Sequence, residues 1–244
     1  MTTNWQTLGR GMVDVVFPPN CVHCQGLVEG SPYRHLCAAC ARKIEVVKAP
    51  HCTTCGHPFY GEVVGERSCP HCQSLAPAYR EGRTAVLLKG PARALVHELK
   101  YHRGMHVLAD MTAIFARCPG LLAWVRGATL VPVPLHTRRE RERGYNQSVL
   151  LAEGLAQAAG GGTTVARLLH RVVDTVSQTH HDKKTRMANL KNAFALAAGG
   201  AITAGQHHIL IDDVFTTGST LNSCALVLRR AGCLNLDVLT FGHG

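Results

Sequence analysis

The sequence predicts an α/β domain preceded by a small, cysteine-rich module that needs metal. Two observations carry this. From about residue 80 onward, short aliphatic strands alternate with helical stretches, the pattern of an α/β sheet. Between residues 21 and 72, eight of the eleven cysteines fall into four C-x2-C pairs. A chain of 244 residues has room for one ordinary domain and one small one.

Residues 1–20 place Trp5, Leu8, Met12, Val15 and Val16 at roughly helical spacing, until Pro18-Pro19 stops the pattern. An amphipathic helix packed on the body of the protein is expected there.

Residues 21–73 form the metal module. The pairs are Cys21/Cys24, Cys37/Cys40, Cys52/Cys55 and Cys69/Cys72, with twelve residues between the first two pairs and thirteen between the last two. A C-x2-C knuckle aims two thiolates at one centre, and two knuckles complete the tetrahedron that zinc accepts. The near-repeat reads as two consecutive zinc ribbons holding two structural zinc ions. Spacing leaves a cross-braced wiring open, with pairs one and three on one ion and pairs two and four on the other. His23, His35, His51, His57 and His71 lie in or beside the knuckles, but the thiolates already fill both sites.

Residues 74–79 read as a linker to the second domain, residues 80–244. Thr84 to Leu88 suits a strand, Pro91 opens a helix through Leu99, and a second helix is expected from Met105 to Cys118. Thr129 to Pro134 is an apolar strand, and a helix from Ser148 to Ala159 follows the stretch Arg138–Gln147. That stretch, with four arginines and two glutamates, is expected to be an anion-binding loop including Arg138 and Arg143. It follows a strand end, where α/β sheets place ligands, and guanidinium forks suit diphosphate. The long polar run from Arg171 to Phe194 offers Gln178, Lys183, Lys184, Arg186 and Asn189 as a lid that could close over a ligand. Leu236 to Phe241 reads as the last strand. Cys118, Cys224 and Cys233 are expected to be small buried hydrophobes.

The most informative stretch is Ile209-Leu-Ile-Asp-Asp-Val-Phe-Thr-Thr-Gly-Ser-Thr220. Three aliphatics make a buried strand, two carboxylates end it, and a hydroxyl-and-glycine loop leads into a helix from Leu221 to Arg230. A phosphate at that helix start would meet unpaired N–H groups and the positive end of the dipole. Thr216, Thr217, Ser219 and Thr220 add hydroxyl donors, and Gly218 allows a positive φ. Ionised Asp212 and Asp213 would repel bare phosphate, so they suit a sugar diol or a divalent cation carried with the ligand.

Charge agrees with an anionic ligand. Residues 1–80 hold 7 basic and 5 acidic side chains and residues 81–244 hold 19 and 11, so most of the formal +10 lies in the second domain. Aromatic residues, at 5%, disfavour an extended base-stacking platform. Apolar runs fall short of the roughly 18 residues of a membrane span. The run from Met12 to Phe17 contains Asp14, and the N-terminus lacks a signal-peptide layout, so a cytoplasmic protein is expected.

The stretch 209–220 closely resembles the ribose-5-phosphate signature of type I phosphoribosyltransferases. The whole chain resembles the ComF family of competence-associated, phosphoribosyltransferase-like proteins. The likeness rests on the four C-x2-C pairs, Val131-Pro-Val-Pro134 with Arg143-Gly-Tyr-Asn-Gln147, Gln178 with Arg186, Asn189 and Ala193-Phe194, and the closing signature. His180-His181-Asp182 departs from the family's pattern. The resemblance implies a mostly parallel sheet flanked by helices. It also implies that Asp212 and Asp213 hold the ribose hydroxyls of 5-phosphoribosyl 1-diphosphate (PRPP), with Mg²⁺, and that Phe215 to Thr220 wrap its 5-phosphate. The Arg138–Arg143 segment, with Lys183 and Arg186 from the lid, would stabilise the leaving diphosphate. A role in DNA uptake during transformation, or in DNA utilisation, follows from the same resemblance, through an unidentified phosphoribosyl acceptor. The alternative is a non-catalytic module that grips single-stranded DNA, or DNA-uptake and recombination proteins, through the ribbons and basic face, with PRPP as a regulatory ligand.

Overall fold

A computed structural model describes residues 19–61, 65, 67–72, 75–172 and 193–244. Most of the expected N-terminal helix over 1–20, and the lid residues Gln178, Lys183, Lys184, Arg186 and Asn189, lie outside the described residues.

Among the described residues the core is a five-stranded sheet in the order β1-β7-β6-β2-β3. Its strands are β1 (Gly82–Leu87), β2 (Thr129–Pro132), β3 (Thr164–Val165), β6 (His208–Phe215) and β7 (Leu236–His243), and every pairing is parallel. The strands are joined by helices: α2 (Gly90–Tyr101), α3 (Leu108–Arg117), α4 (Leu121–Val125), α5 (Thr137–Arg143), α6 (Gln147–Ala159) and α7 (Ser219–Arg230), with a short α1 (Ala38–Ala41) in the first ribbon. The α/β class expected from the alternating pattern is the class observed.

Side chains alternate between two layers, as strand geometry requires. Leu130, Ile209, Ile211, Leu239 and Phe241 face α2, α3, α4 and α6, where Leu95, Met111, Phe115 and Leu155 meet Tyr33, Leu36 and Cys40 of the first ribbon. Val131, Leu210, Leu236 and Val238 face the other way, onto Leu221, Ala225 and Leu228 of α7 and the four cysteines of the second ribbon. Each ribbon thus extends one layer of the core.

The chain between the ribbons closes the outer edge of β1: Val47 N donates to Ala85 O (2.8 Å) and Leu87 N to Glu45 O (3.0 Å), around an antiparallel Val46–Val86 bridge. An open parallel edge would otherwise invite pairing with another chain.

Several elements differ from expectation. The stretch from Met105 begins as a 3-10 turn, Met105–Val107, before α3 starts at Leu108. β6 runs through both aspartates to Phe215 instead of ending before them. The short β4 (Leu169–Arg171) and β5 (Phe194–Leu196) pair antiparallel, so Arg171 and Phe194 are cross-strand partners; three-residue strands leave no readable period. The expected Arg138–Gln147 loop is largely the helix α5. Its seven residues lack an apolar face, but Arg and Glu are good helix formers, His136 caps its first turn, and Gly144 at φ +87° ends it.

Candidate functional site

Three elements converge where β6 ends. The first is the acidic pair. Asp212 Oδ1 accepts from Ser148 Oγ of α6 (3.0 Å) and from the Asp213 backbone N–H (2.9 Å). Asp213 is 4% exposed. Lys100 Nζ, from the last turn of α2, stands 2.6 Å from its Oδ2, a charge contact without hydrogen-bond alignment. Burial, and then the neighbouring Asp213 carboxylate, push the Asp212 carboxyl up to about 7, while Lys100 pulls the other way.

The second element is the loop into α7. Thr216 and Thr217 are exposed, and Gly218 turns through φ +71° as the residue before the helix. Thr217 Oγ1 and Ser219 Oγ are 2.9 Å apart, so these two hydroxyls sit together at the N-terminus of a twelve-residue helix. Phe215 is different: its ring is 3% exposed and lies beneath the loop, stacked on His243 with centroids 5.5 Å apart. It supports the cradle and does not line it with its side chain.

The third element is a cleft of about 470 Å³ lined by Lys100, Tyr101, Arg103, Arg139, Glu142 and Arg143. Four cations face one carboxylate. Helical spacing decides which arginines take part. Arg139 and Arg143 lie one turn apart on one face, whereas Arg138, rotated about 140° from Arg143, does not line the cleft and pairs at 3.0 Å with Glu142, which does. Beyond Arg143 the rest of that motif, Tyr145 to Gln147, is structural. Arg143 donates to Gln147, Tyr145 OH to Leu99 O of α2, and Asn146 Nδ2 to Val133 O (3.0 Å), while Asn146 Oδ1 caps α6 at Ser148 N (2.9 Å). These bonds tie α2, β2, α5 and α6 together around the acidic pair.

Lys100 and Arg103 fall outside every stretch the sequence points to, and Arg139 falls inside the expected Arg138–Arg143 segment without being distinguished there. Lys100 is an isolated cation at the end of a helix, and only the crossing of α2 beside β6 brings it to Asp213. Lys183 and Arg186 lie outside the described residues.

The cysteines gather into two clusters, Cys21/Cys24/Cys37/Cys40 and Cys52/Cys55/Cys69/Cys72, with all sulfurs of a cluster within 4.8 Å of one another. Between pairs, Cys24 and Cys37 Sγ are 3.7 Å apart, as are Cys55 and Cys69 Sγ. A tetrahedron with Zn–S bonds of about 2.3 Å has sulfurs about 3.8 Å apart, so both clusters fit zinc. The wiring is sequential, and cross-bracing is ruled out by geometry. Among the described residues no histidine joins either cluster.

Residues 12–73 match the model of the double zinc ribbon domain. The chain is 32% identical over 209 residues to the DNA utilization protein YhgH of Salmonella typhi, covering 83% of this chain and 88% of that one. It is 29% identical over 224 residues to the competence protein F of Haemophilus influenzae, covering 89% and 94%. Among solved structures, a hypoxanthine phosphoribosyltransferase from Staphylococcus aureus aligns over 56% of this chain and 62% of that one at 15% identity, with a TM-score of 0.35, too low to argue from. No described helix is long and apolar enough to cross a membrane. With two four-cysteine ribbons, a parallel sheet and relatives that match along most of their length, this chain belongs to the ComF family of competence and DNA-utilization proteins.

Proposed function

We propose that the chain binds PRPP with Mg²⁺ at the end of β6 and serves DNA uptake or DNA utilisation, positioning a phosphoribosyl group for transfer to an acceptor. The observation that carries this reading is the meeting, at one end of the sheet, of an acidic pair with Asp213 buried and Asp212 half-buried, a left-handed glycine at a helix N-terminus and a cationic cleft. No simpler ligand uses all three. Residues 21–73 would act as the zinc module and 80–244 as the ligand-binding domain.

In this reading Asp212 and Asp213 hold the ribose 2′- and 3′-hydroxyls, and the N–H groups and hydroxyls of 216–220 hold the 5-phosphate. Arg139 and Arg143 face the diphosphate. Lys100, displaced from Asp213 as the ligand enters, adds a further cation. Mg²⁺ brought with the ligand beside Asp212 and Asp213 would supply charge neutralisation. In transfer, the C1–O bond breaks with its electron pair leaving on diphosphate, and the acceptor's lone pair forms the new bond at C1. The protein's part is to position groups and stabilise charge.

A second reading is favoured by the same cleft, where Tyr101 is 66% exposed beside Arg143, its ring 5.9 Å from the guanidinium. A cationic cleft with an accessible ring suits single-stranded nucleic acid, and the site would then be regulatory.

Titration calorimetry with PRPP, with and without Mg²⁺, on the zinc-loaded protein and on Asp212→Asn/Asp213→Asn tests the proposal. Mg²⁺-dependent binding that disappears in the double variant is expected. Absence of binding in folded wild-type protein overturns it. Binding of single-stranded DNA that weakens steeply with salt, beside an absent PRPP response, would favour the second reading.

A further inference from the structure

The two ribbons are attached to different parts of the molecule. The first docks on α3, where buried Asp110 accepts the backbone N–H groups of Arg34 (2.9 Å) and His35 (2.7 Å). Its core contacts, through Tyr33 and Leu36, all lie in the layer that excludes Phe215 and α7.

The second ribbon reaches the loop at 215–220 directly. Leu75 follows ligand Cys72 by three residues, and its N–H bonds to Cys72 O at 2.9 Å. Its side chain lies against Gly218: a Cβ built there would come within 2.9 Å of Leu75 Cδ2 and 2.6 Å of Phe215 Cζ. The positive φ favours glycine here, and any side chain would also have to push aside the ends of Leu75 and Phe215. One turn into α7, Asn222 accepts from Ala78 N (2.7 Å) through Oδ1 and donates to Ala76 O (3.0 Å) through Nδ2. Further along, Arg229 Nε donates to Ala78 O at 2.7 Å. A second contact runs from Cys55, whose sulfur accepts the His57 N–H at 3.4 Å, through the His57 ring set edge-on against His243 at 4.9 Å, to His243 stacked on Phe215.

From this attachment we infer that the second ribbon is one half of the loop at 215–220: the folded Cys52/Cys55/Cys69/Cys72 site holds that loop in its binding shape through Leu75 and Asn222, and the first ribbon has no part in it. Leu75 and Asn222 are positioning residues that need not touch the ligand. Leu75 packs on the loop, and Ala76 and Ala78 in the segment that follows Cys72 bond to Asn222 and Arg229 of the helix behind it, so a loop with Thr216 and Thr217 exposed has its ordering cost met before the anion arrives. The inference rests on the reading of 215–220 as a phosphate cradle only for its effect on affinity, since loop order is measurable without a ligand.

The test uses the full chain loaded with zinc. Asn222→Ala and Leu75→Ala are compared with wild type by zinc content, hydrogen exchange at amides 215–220, and PRPP affinity. Two zinc ions per chain are expected to remain, with loop exchange faster and PRPP binding weaker, each by up to about tenfold, the order of one or two lost half-buried contacts. Asn222→Asp keeps the acceptor for Ala78 N and loses the donor, so it should fall between wild type and alanine. Asp110→Ala, which unfastens the first ribbon, should leave exchange at 215–220 as in wild type. Unchanged exchange in both loop-side variants, or an equal change in Asp110→Ala, overturns the inference. Should wild-type protein bind no PRPP, the phosphate reading fails by itself and exchange alone decides the coupling.

Discussion

The raised Asp212 carboxyl makes ligand binding depend on pH in a direction that can be worked out. The group is held at about 7 against an ordinary 3.8, first by burial and then by the adjacent Asp213 charge. A ribose diol held with Mg²⁺ needs the ionised form. Below about 7 binding must therefore expel a proton, and affinity falls with pH; above that value it levels off. Between about pH 8 and about pH 6 the ionised fraction drops about tenfold, and affinity should drop with it. In the unliganded protein this group should act in the opposite direction. The folded state keeps a proton that the unfolded chain releases, so this group's contribution to stability is full below the unfolded value and is lost as pH rises through about 7. Calorimetry in buffers of different ionisation enthalpy reads the released proton directly. The ligand's own phosphate also titrates near about pH 6, so the comparison with Asp212→Asn carries the test: the variant should lose the proton release tied to the carboxyl. Lys100→Met should move the midpoint upward, because the lysine charge lowers the Asp212 value. Equal pH slopes in wild type and Asp212→Asn would refute the assignment.

Other expectations follow from particular contacts. Gly218→Ala combines a left-handed backbone with collisions against Phe215 and Leu75; a loss of about 1–3 kcal/mol in denaturant unfolding is expected, together with loss of PRPP binding. Arg143→Ala should weaken inorganic diphosphate binding about tenfold, whereas Arg138→Ala, removing an exposed pair with Glu142, should change it less than about twofold; equal effects in calorimetry would count against the cleft. Zinc should leave in two phases when a chromogenic chelator is added, the first from the ribbon in which Cys24 is exposed and Cys37 half-buried, the second from the ribbon in which all four cysteines are buried. A single phase carrying both equivalents would contradict this.

Much of the fold was legible because its signals are local. Aliphatic runs at 130–131 and 209–211 announce buried strands, Pro91 and the Thr-Gly-Ser sequence announce helix starts, and C-x2-C knuckles announce metal centres. The misreadings have equally local causes. Helix α5 carries no apolar face, so periodicity could not find it; its Gly144 stop and the Arg138–Glu142 spacing were the available signals. β6 continues past Ile211 because the aspartates occupy strand positions paired with β7, with Asp212 opposite Thr240, and carboxylates normally argue against a strand.

Residue chemistry and short-range spacing determined that the chain has two four-cysteine zinc ribbons, an α/β domain and a glycine-hydroxyl loop after paired aspartates, since each of these needs only neighbours within a few turns of chain. Tertiary structure decided what depends on distant segments meeting. It chose sequential over cross-braced wiring, because the distances between sulfurs are set by the fold of each ribbon. It brought Lys100 to Asp213 across 113 residues of chain, selected Arg139 and Arg143 over Arg138 by the rotation of a helix, and set Leu75 and Asn222 between the second ribbon and the loop. Such contacts carry no period and no motif; they exist only once the packing of α2, α5 and α7 around β6 has chosen which side chains face one another.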